Sequence, residues 1–261
     1  MNKNFNFKKK FGQNFLIDKD KTQRIVDLIN ADSDDLIIEI GPGAGALTKR
    51  LVKKNAKLIC YEIDEDTKEY LLPLENEKTK IVYKDFLTAS VQEDIKDIEY
   101  KNLYIVGNLP YYITTPIIEK IIKEEVNVKK MVFMVQKEVG ERFASKPNTR
   151  EYGSITVFLN YYFNIKQEFI VGRKCFNPAP NVDSVVISLN QKVERKQVDM
   201  KKFDRLVRDS FQFKRKNLRN NLRNYDLDKV NEILSDYKLD ITHRAEELDY
   251  TIFVDLCNRL F

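Results

Sequence analysis

Short apolar runs recur along the first half of the chain, separated by longer stretches in which apolar and polar positions mix. The runs are rich in β-branched and aromatic residues and contain few polar positions, which is typical of strands buried on both faces of a sheet. They lie at 36–40 (LIIEI), 57–63 (KLICYEI), 80–83 (KIVY), 103–108 (LYIVGN) and 131–136 (MVFMVQ). The pattern therefore predicts five central strands.

Between these runs, apolar residues recur at intervals of three and four, which predicts helices at 20–30, 44–54, 65–75 and 115–125. Strands that alternate with helices favour an α/β fold with a parallel sheet. One more strand is predicted at 184–189 (SVVISL), and from Met200 onward the pattern is purely helical. We predict an α/β catalytic domain at 1–192 and a small α-helical domain at 193–261.

Composition excludes several classes of protein. A chain of 261 residues with 43% hydrophobic and 33% charged residues is globular, and no apolar run approaches the length of a membrane span. The basic N-terminal stretch has no apolar segment behind it, so we expect a cytoplasmic protein. The three cysteines are widely scattered and His243 is the single histidine, which argues against disulfides, Cys/His metal sites and a Ser/His/Asp triad.

Positive charge is unevenly distributed. The net charge is +5, residues 1–12 carry four lysines and no acid, and residues 203–225 carry seven Lys or Arg against two Asp. Clusters of this kind suit a phosphate backbone, although solvated helix faces in a lysine-rich protein explain either cluster alone equally well.

Three of the eight glycines, Gly41, Gly43 and Gly45, fall in the segment EIGPGAGALT directly after the first predicted strand. Glycine allows the backbone to turn tightly and to approach a ligand closely. A helix predicted to begin near Ala44 would direct its amide groups at the same place. A purely structural strand-to-helix turn would also explain this loop, which is a weak signal when taken alone.

The acidic residues near this loop bear on the choice of cofactor. A dinucleotide fingerprint needs G-x-G-x-x-G and an acid about 20 residues later, and Glu62 supplies the acid, but Ala46 gives G-x-G-x-G instead. Glu39 at the head of the loop fits S-adenosylmethionine, a nucleoside cofactor without pyrophosphate. Glu62 would then accept both ribose hydroxyls, and Asp85, after the third strand, would face the adenine edge.

The fourth strand ends in an amide, a proline and two tyrosines, within the stretch YIVGNLPYYITTP. Strand ends in a parallel sheet form ligand sites, so Asn108 should lie beside the glycine loop. The side-chain oxygen of Asn108 and a carbonyl group fixed by Pro110 would bind the two hydrogens of an exocyclic amine, and Tyr111 would stack on its base. Such positioning can support methyl transfer to adenine without a strong general base.

Several blocks resemble the bacterial small-subunit rRNA adenine dimethyltransferases, in order and spacing, from about Phe11 to the end of the chain. The blocks are FGQNFL, EIGPGAGALT, VGNLPYYITTPII, VQKEVGERFAS, YGSITV, FNPAPNVDSVV and FQFKRKNLRNNL. The related macrolide-resistance methyltransferases of large-subunit rRNA share the glycine loop and Asn-x-Pro-Tyr, but they typically lack the TTP continuation and the FxPxPxVDS block. They remain the alternative.

The resemblance implies a Rossmann-like class I S-adenosylmethionine-dependent methyltransferase with a helical C-terminal domain. It implies dimethylation of two adjacent adenines near the 3′ end of 16S rRNA in an immature small subunit, by a monomer that needs no metal or membrane. The predicted cofactor-binding residues are Asn14, Leu16, Gly41, Gly43, Glu62, Asp85 and Asn108. The predicted catalytic residues are Asn108, Leu109, Pro110, Tyr111 and Phe176, of which Tyr111 and Phe176 would sandwich a flipped adenine.

The basic block FKRKNLRNNLR acquires a role from this resemblance. If it is helical, its cations form one broad face that could neutralise rRNA phosphates without reading sequence. The predicted RNA-binding residues are Lys214, Arg215, Lys216, Arg219 and Arg223. Two further hypotheses concern a different class of function. One is an assembly factor that has lost catalysis, and the intact NLPY motif argues against it. The other is an NAD-dependent oxidoreductase, which the glycine spacing disfavours.

Overall fold

The computed structural model describes residues 14–110 and 113–261, and these form two compact units. Unit 1 comprises the residues up to Gly140 together with Lys166–Asn190, and unit 2 comprises Glu141–Ile165 and Gln191–Phe261. The sequence placed one boundary after residue 192, close to where the chain finally leaves unit 1. It assigned 141–165 to the first domain, whereas the structure includes this segment in unit 2.

Unit 1 is built on a seven-stranded sheet in the order β4-β3-β2-β5-β6-β9-β7. The first five strands in this order are mutually parallel, and β9 runs antiparallel to β6. A separate antiparallel pair is formed by β1 and β8. The strands are β1 Phe15–Leu16, β2 Leu36–Ile40, β3 Lys57–Glu62, β4 Thr79–Tyr83, β5 Leu103–Asn108, β6 Lys130–Gln136, β7 Phe163–Val171, β8 Phe176–Asn177 and β9 Ser184–Gln191.

Each apolar run of the sequence coincides with a strand of this sheet, and the α/β class with a Rossmann-like sheet is confirmed. Every residue of β2 is buried, as are the first five residues of β5, because helices cover both faces of a parallel sheet. The sheet is mixed rather than purely parallel. The sequence did not predict β7, whose residues are mostly half-buried or exposed and therefore lack an apolar run.

The helices of unit 1 are short. They are α1 Lys19–Asp27, α2 Thr48–Leu51, α3 Lys68–Leu71, α4 Val91–Ile95, α5 Thr114–Lys123 and α6 Lys137–Phe143, the last of which continues into unit 2. The predicted helix at 65–75 is divided into a 3₁₀ turn at Glu65–Thr67, α3, and a second 3₁₀ turn at Leu72–Leu74. Pro73 lies in the second turn and cannot donate the backbone hydrogen bond that a continuing α-helix needs there.

The predicted start of the helix at 44–54 was wrong. Turns occupy 43–47, α2 begins only at Thr48, and a 3₁₀ turn follows at Val52–Lys54. Gly43 and Gly45 have φ angles of 56° and 76°, which lie outside the right-handed helical region. The amide groups at the end of β2 therefore belong to an irregular loop rather than to the first turn of a helix.

Unit 2 is a helical cluster with its own apolar core. Its helices are α7 Ser154–Tyr162, α8 Met200–Ser210, α9 Leu218–Asn221, α10 Leu227–Ser235 and α11 Tyr250–Leu260. Val157 and Tyr161 of α7 are buried in the same core as Phe203 and Phe253. This shared burial is the physical reason why the segment 141–165 belongs to unit 2.

Candidate active site

A cavity of about 230 Å³ opens at the carboxyl ends of β2, β3, β4 and β5 in unit 1. Open α/β sheets bind ligands at this edge. The predicted residues that line the cavity are Asn14, Leu16, Gly41, Gly43, Glu62, Asp85, Asn108, Leu109, Pro110 and Phe176. These are all the predicted cofactor-binding and catalytic residues except Tyr111, which lies outside the described residues.

The glycine loop forms the wall of the cavity that follows β2. Gly41 and Gly43 have φ angles of 68° and 56°, a region that side chains other than glycine rarely adopt. A Cβ atom at Gly43 would also lie 2.5 Å from Cε1 of Phe15. The loop can therefore keep this shape, with its backbone against the cavity, only because glycine occupies position 43.

Glu62, the last residue of β3, is held by the backbone around it. Its Oε2 accepts the Gly43 N–H at 2.8 Å and its Oε1 accepts the Asp64 N–H at 2.9 Å. Burial, with a relative exposure of 5%, raises the pKa of Glu62, and the two backbone hydrogen bonds oppose that rise. Each carboxylate oxygen has a further lone pair, so the fixed side chain can still accept from a ligand hydroxyl.

Glu39 lies in β2 beneath the loop and is 1% exposed. Burial raises its pKa from 4.5 to about 7, while neighbouring Thr48 and the Cys60 thiol act in the opposite direction. The thiol donates to Oε2 of Glu39 at 3.5 Å. Near neutral pH the floor of the cavity therefore carries a carboxyl group that is partly protonated.

Asp85 follows β4 and organises the loop that closes this side of the cavity. Its Oδ1 accepts the Leu87 N–H at 2.9 Å, and its carbonyl oxygen accepts the N–H groups of Thr88 and Ala89. This arrangement places a carboxylate and the adjacent Phe86 on the cavity wall.

Asn108, the last residue of β5, has a defined orientation. Its Nδ2 donates to the carbonyl oxygen of Asn14 at 3.0 Å, which leaves Oδ1 as the acceptor atom of the amide. The next residues are also fixed, because the Leu109 N–H donates to Met134 at 3.2 Å and the Pro110 carbonyl accepts the Ile113 N–H at 3.2 Å. The strand end therefore presents a side-chain acceptor beside a constrained backbone.

Phe176 reaches the cavity through the small β1–β8 ribbon, where it pairs with Leu16. Its side chain is 5% exposed and belongs to the apolar core of unit 1. The ring therefore has both a packing role and a position on the cavity wall.

Sequence reasoning missed several large apolar side chains that line the same cavity, among them Phe15, Tyr61, Ile63 and Phe86. The rings of Tyr61 and Phe86 meet edge to face, with centroids 5.2 Å apart, and the Tyr61 hydroxyl donates to Asp94 at 2.8 Å. A signal was present, because Ile63 and Phe86 each directly follow a predicted acidic residue at a strand end.

The predicted RNA-binding residues lie in unit 2, where the helix predicted for them was wrong. Residues 211–217 form turns and bends without a helix, and within this block only Leu218–Asn221 is helical. The Asn217 side chain caps that short helix by accepting the Asn220 N–H. Lys214, Arg215 and Lys216 are therefore exposed on a loop, and they do not share a helix face with Arg219.

Two further observations concern absent features. Within the described ranges no helix is long and apolar enough to cross a membrane. In that same part of the chain no three His, Cys, Asp or Glu side chains are grouped so that they could hold a metal ion.

Comparison with known families decides how this cavity is classified. The sequence pattern of the family described as "Ribosomal RNA adenine dimethylase" matches residues 4–260. The chain belongs to this family. It is thus an rRNA adenine dimethyltransferase, and the resemblance predicted from its motifs is confirmed. Enzymes of this family take their methyl groups from S-adenosylmethionine, and their substrate is rRNA.

Two similar proteins are both named "Ribosomal RNA small subunit methyltransferase A". The one from Bacillus mycoides (strain KBAB4) is 41% identical over 270 residues, which cover 98% of this chain and 92% of that protein. The one from Bacillus cereus (strain B4264) is 40% identical over 272 residues, with the same coverage.

Two solved structures share the fold. A dimethyladenosine transferase from Plasmodium falciparum superposes with a TM-score of 0.77 over 93% of this chain and 95% of that one, at 24% identity. The 23S rRNA methyltransferase ErmE superposes with a TM-score of 0.73 over 95% and 99%, also at 24% identity. At this identity the likeness concerns the fold, so the ErmE structure does not favour large-subunit RNA as the substrate.

Proposed function

We propose that this enzyme transfers methyl groups from S-adenosylmethionine to the N6 amines of two adjacent adenines near the 3′ end of 16S rRNA. Its substrate would be an immature small ribosomal subunit, and the enzyme would act as a monomer. The observation that carries the chemistry is the orientation of Asn108, whose amide presents its oxygen at the end of β5. The choice of the small subunit rests on the relatives named as small-subunit methyltransferases.

The polar lining of the cavity fits S-adenosylmethionine better than a dinucleotide. The described residues that line the cavity include three carboxyl groups, those of Glu39, Glu62 and Asp85, and one ammonium group, that of Lys84. Ribose hydroxyls and an adenine amine are donors, which these acceptors can satisfy, and the sulfonium is a cation. A pyrophosphate would instead meet like charge.

Within this cavity, Asn14, Leu16, Gly41, Gly43, Glu62, Asp85 and Asn108 would hold the cofactor. When bound, the cofactor supplies a methyl group activated by the positively charged sulfur. Glu62 would accept from the ribose hydroxyls through the lone pairs that Gly43 and Asp64 do not use. Its backbone hydrogen bonds fix the carboxylate before the ligand arrives, so little conformational entropy is lost on binding.

The acceptor pair for the target amine would be Oδ1 of Asn108 and the carbonyl oxygen of Leu109. The carbonyl oxygen of Pro110 already uses one of its two lone pairs to accept the Ile113 N–H, so we assign the backbone acceptor to Leu109, which directly follows Asn108. Two acceptors on the amine hydrogens favour a more tetrahedral nitrogen, whose lone pair is then less delocalised into the ring. This effect grows toward the transition state, so it accelerates the reaction rather than merely binding the base.

Dimethylation places a further demand on the same acceptor pair. The monomethylated amine retains one hydrogen, so in the second transfer only one of the two acceptors can be used. The rigid strand end would compensate by holding the base itself, stacked between Phe176 and Tyr111. An adenine must leave its stack to reach this pocket, and such stacking offsets part of the cost.

We assign the rRNA-binding role to the helical domain predicted at 193–261 and the catalytic role to the domain at 1–192. Lys214, Arg215, Lys216, Arg219 and Arg223 would contact phosphates. These cations have no carboxylate partner among the described residues, in contrast to Arg205, Arg208 and Arg259 in the same unit. Binding through phosphates is salt-sensitive and largely independent of sequence.

The test uses ribosomal subunits from a strain that lacks this gene. Purified enzyme and methyl-labelled S-adenosylmethionine are incubated separately with small and large subunits, and the RNA is digested for mass spectrometry. We expect N6,N6-dimethyladenosine at two adjacent positions near the 3′ end of 16S rRNA, and none with Asn108→Ala. Label confined to large-subunit RNA would overturn the proposal and support the resistance-type activity instead.

A further inference from the structure

The loop at 211–217, here called the basic loop, exposes an aromatic ring among cations. Phe213 is 52% exposed, and it is followed by Lys214, Arg215 and Lys216, all exposed. Its neighbour Phe211 behaves differently, because its ring packs against Phe253 with centroids 5.9 Å apart. Within residues 14–110 and 113–261 no other ring or cation stacks on Phe213.

The backbone of Phe213 is clamped by a buried side chain. Asn221 is 7% exposed, its Oδ1 accepts the Phe213 N–H at 3.1 Å, and its Nδ2 lies 3.4 Å from the Phe213 carbonyl oxygen. The same Nδ2 donates to Ser210 at 2.7 Å, where α8 ends. One amide therefore fixes both polar groups of Phe213 and ties them to a helix.

A tight turn completes the clamp. The Lys216 N–H donates to the Phe213 carbonyl at 2.8 Å, and the Nζ of Lys214 donates to the carbonyl of Arg150 at 2.6 Å. These hydrogen bonds hold the backbone of Phe213 in the conformation that exposes its ring. An exposed phenylalanine ring does not contribute the hydrophobic stabilisation that its burial would give. In the free protein the loop keeps the ring in this unfavourable position.

The charge around the ring identifies its partner. Residues 211–223 contain no acid and five Lys or Arg, and the side chains of Arg215 and Lys216 form no ion pair with any described carboxylate. A flat apolar ring beside unpaired cations is complementary to an unpaired nucleobase beside phosphates. An apolar protein surface would not neutralise these charges.

We propose that Phe213 is a stacking platform for an unpaired base of the rRNA substrate, and that the clamp by Asn221 holds the ring ready for it. This inference rests on the proposed function and adds to it an aromatic contact in unit 2, separate from the pocket for the target adenine. The base would stack on the ring while the adjacent cations bind its flanking phosphates.

The test compares four variants in RNA binding to small subunits and in methyl transfer. Phe213→Ala should weaken binding roughly tenfold, the scale of one base–aromatic stack, with turnover at saturating RNA unchanged. Phe213→Tyr should retain affinity because its ring also stacks, and Phe213→Leu should behave like Ala. Val193→Ala removes another exposed apolar side chain of unit 2, 98% exposed, and should have no effect.

Salt dependence separates stacking from loss of loop structure. Stacking releases no counterions, so Phe213→Ala should lower RNA affinity by the same factor at about 50 mM and about 200 mM salt. Binding through phosphates, in contrast, weakens strongly between these two concentrations. A collapsed loop would displace its cations and reduce the salt slope as well. A parallel salt plot therefore supports the proposal and a flattened one contradicts it.

Crosslinking identifies the partner directly. Phe213→p-benzoylphenylalanine, irradiated on small subunits, should crosslink to a nucleotide of 16S rRNA that primer extension can map. Crosslinks to ribosomal protein alone, or full affinity in Phe213→Leu, would overturn the proposal. If wild-type enzyme methylates no small-subunit RNA, the proposed function itself fails, and that outcome is recognised before any variant is compared.

Discussion

The cavity of unit 1 and the basic loop of unit 2 differ in whether their polar and charged side chains have partners within the protein. In the cavity, both carboxylate oxygens of Glu62 accept backbone N–H groups, and the amide of Asn108 is held by Asn14. In the loop, the backbone is clamped, but the charged ends of Arg215 and Lys216 have no described carboxylate partner. The cavity orients its polar groups before a ligand arrives, whereas the loop leaves its charges for a ligand to neutralise.

The difference corresponds to the different requirements of methyl transfer and of phosphate binding. Methyl transfer depends on atoms placed within a fraction of an ångström, so a buried, internally hydrogen-bonded site is worth its desolvation cost. Phosphate binding depends on charge at the surface, where solvated cations attract RNA over a Debye length. Substitutions in the cavity should therefore change turnover or cofactor affinity, while substitutions in the loop should change RNA affinity alone.

The largest expected effect is on turnover, from Asn108→Ala. Removing the oxygen that accepts from the target amine should lower kcat about 10²-fold or more, which is the scale for one preorganised polar group in an active site. Cofactor affinity should fall much less, because Glu62 and Asp85 remain. Single-turnover methyl transfer and calorimetric titration of S-adenosylmethionine measure the two quantities.

Loss of the hydrogen bond to Asn14 is the confounding effect in this variant. Thermal unfolding of Asn108→Ala with bound cofactor shows whether the β1 segment has been released. Normal dimethylation by a folded variant would contradict the role assigned to Asn108.

The next effect is on stability and comes from Glu39→Gln. The folded-state pKa of Glu39, about 7, lies above its ordinary 4.5, so the folded protein holds a proton that the unfolded chain releases. Its contribution to the free energy of unfolding is therefore lost as pH rises from about 4.5 through 7. Relative to Glu39→Gln, the wild type should lose up to about 3 kcal/mol across this window.

Urea unfolding at several pH values between 5 and 8 checks this prediction. A Glu39→Gln stability difference from wild type that does not change with pH over this range would show that the buried carboxyl group does not titrate near neutrality.

A smaller effect, on cofactor affinity, is expected from Glu62→Gln. Glutamine offers one oxygen where Glu62 uses two to accept from Gly43 and Asp64, so one N–H loses its partner. We expect roughly tenfold weaker binding of S-adenosylmethionine, on the order of one hydrogen bond to a charged group, with kcat at saturating cofactor changed only slightly. Isothermal titration measures the affinity, and a large fall in kcat alone would contradict a purely binding role.

How well the sequence predicted each region follows from the range of the interactions involved. The central strands and their terminal residues could be predicted, because buried parallel strands are apolar runs and their carboxyl ends converge on one edge. Glu62, Asp85 and Asn108 each end or follow a predicted strand, and all three line the same cavity. The edge strand β7, in which only two of nine positions are buried, carries no such signal.

The failures arise from contacts that a local pattern does not contain. The helix predicted at 44–54 starts late because Gly43 and Gly45 adopt positive φ, and the loop shape also depends on Phe15, 28 residues away. The helix predicted over the basic block is absent because Asn221 binds the backbone of 210, 213 and 216 instead. Likewise, the hydrogen bond from Asn108 to the carbonyl oxygen of Asn14 joins residues that are 94 positions apart in sequence.

The smallest effect, and the sharpest test of the contrast between the two regions, comes from neutralising cations in pairs. Arg215→Gln with Lys216→Gln removes two unpaired charges, so the slope of log affinity against log salt should fall by about 1.5. Arg205→Gln with Arg208→Gln is the matched control on α8, where each guanidinium already has a carboxylate partner, Asp209 and Asp204 respectively. The control should leave the slope nearly unchanged, although both pairs lower the net charge equally. Filter binding to small subunits at several salt concentrations measures both slopes, with cofactor titration to confirm that the cavity is unaffected. Equal slopes for the two double variants would mean that overall charge, rather than unpaired cations on the loop, determines RNA affinity.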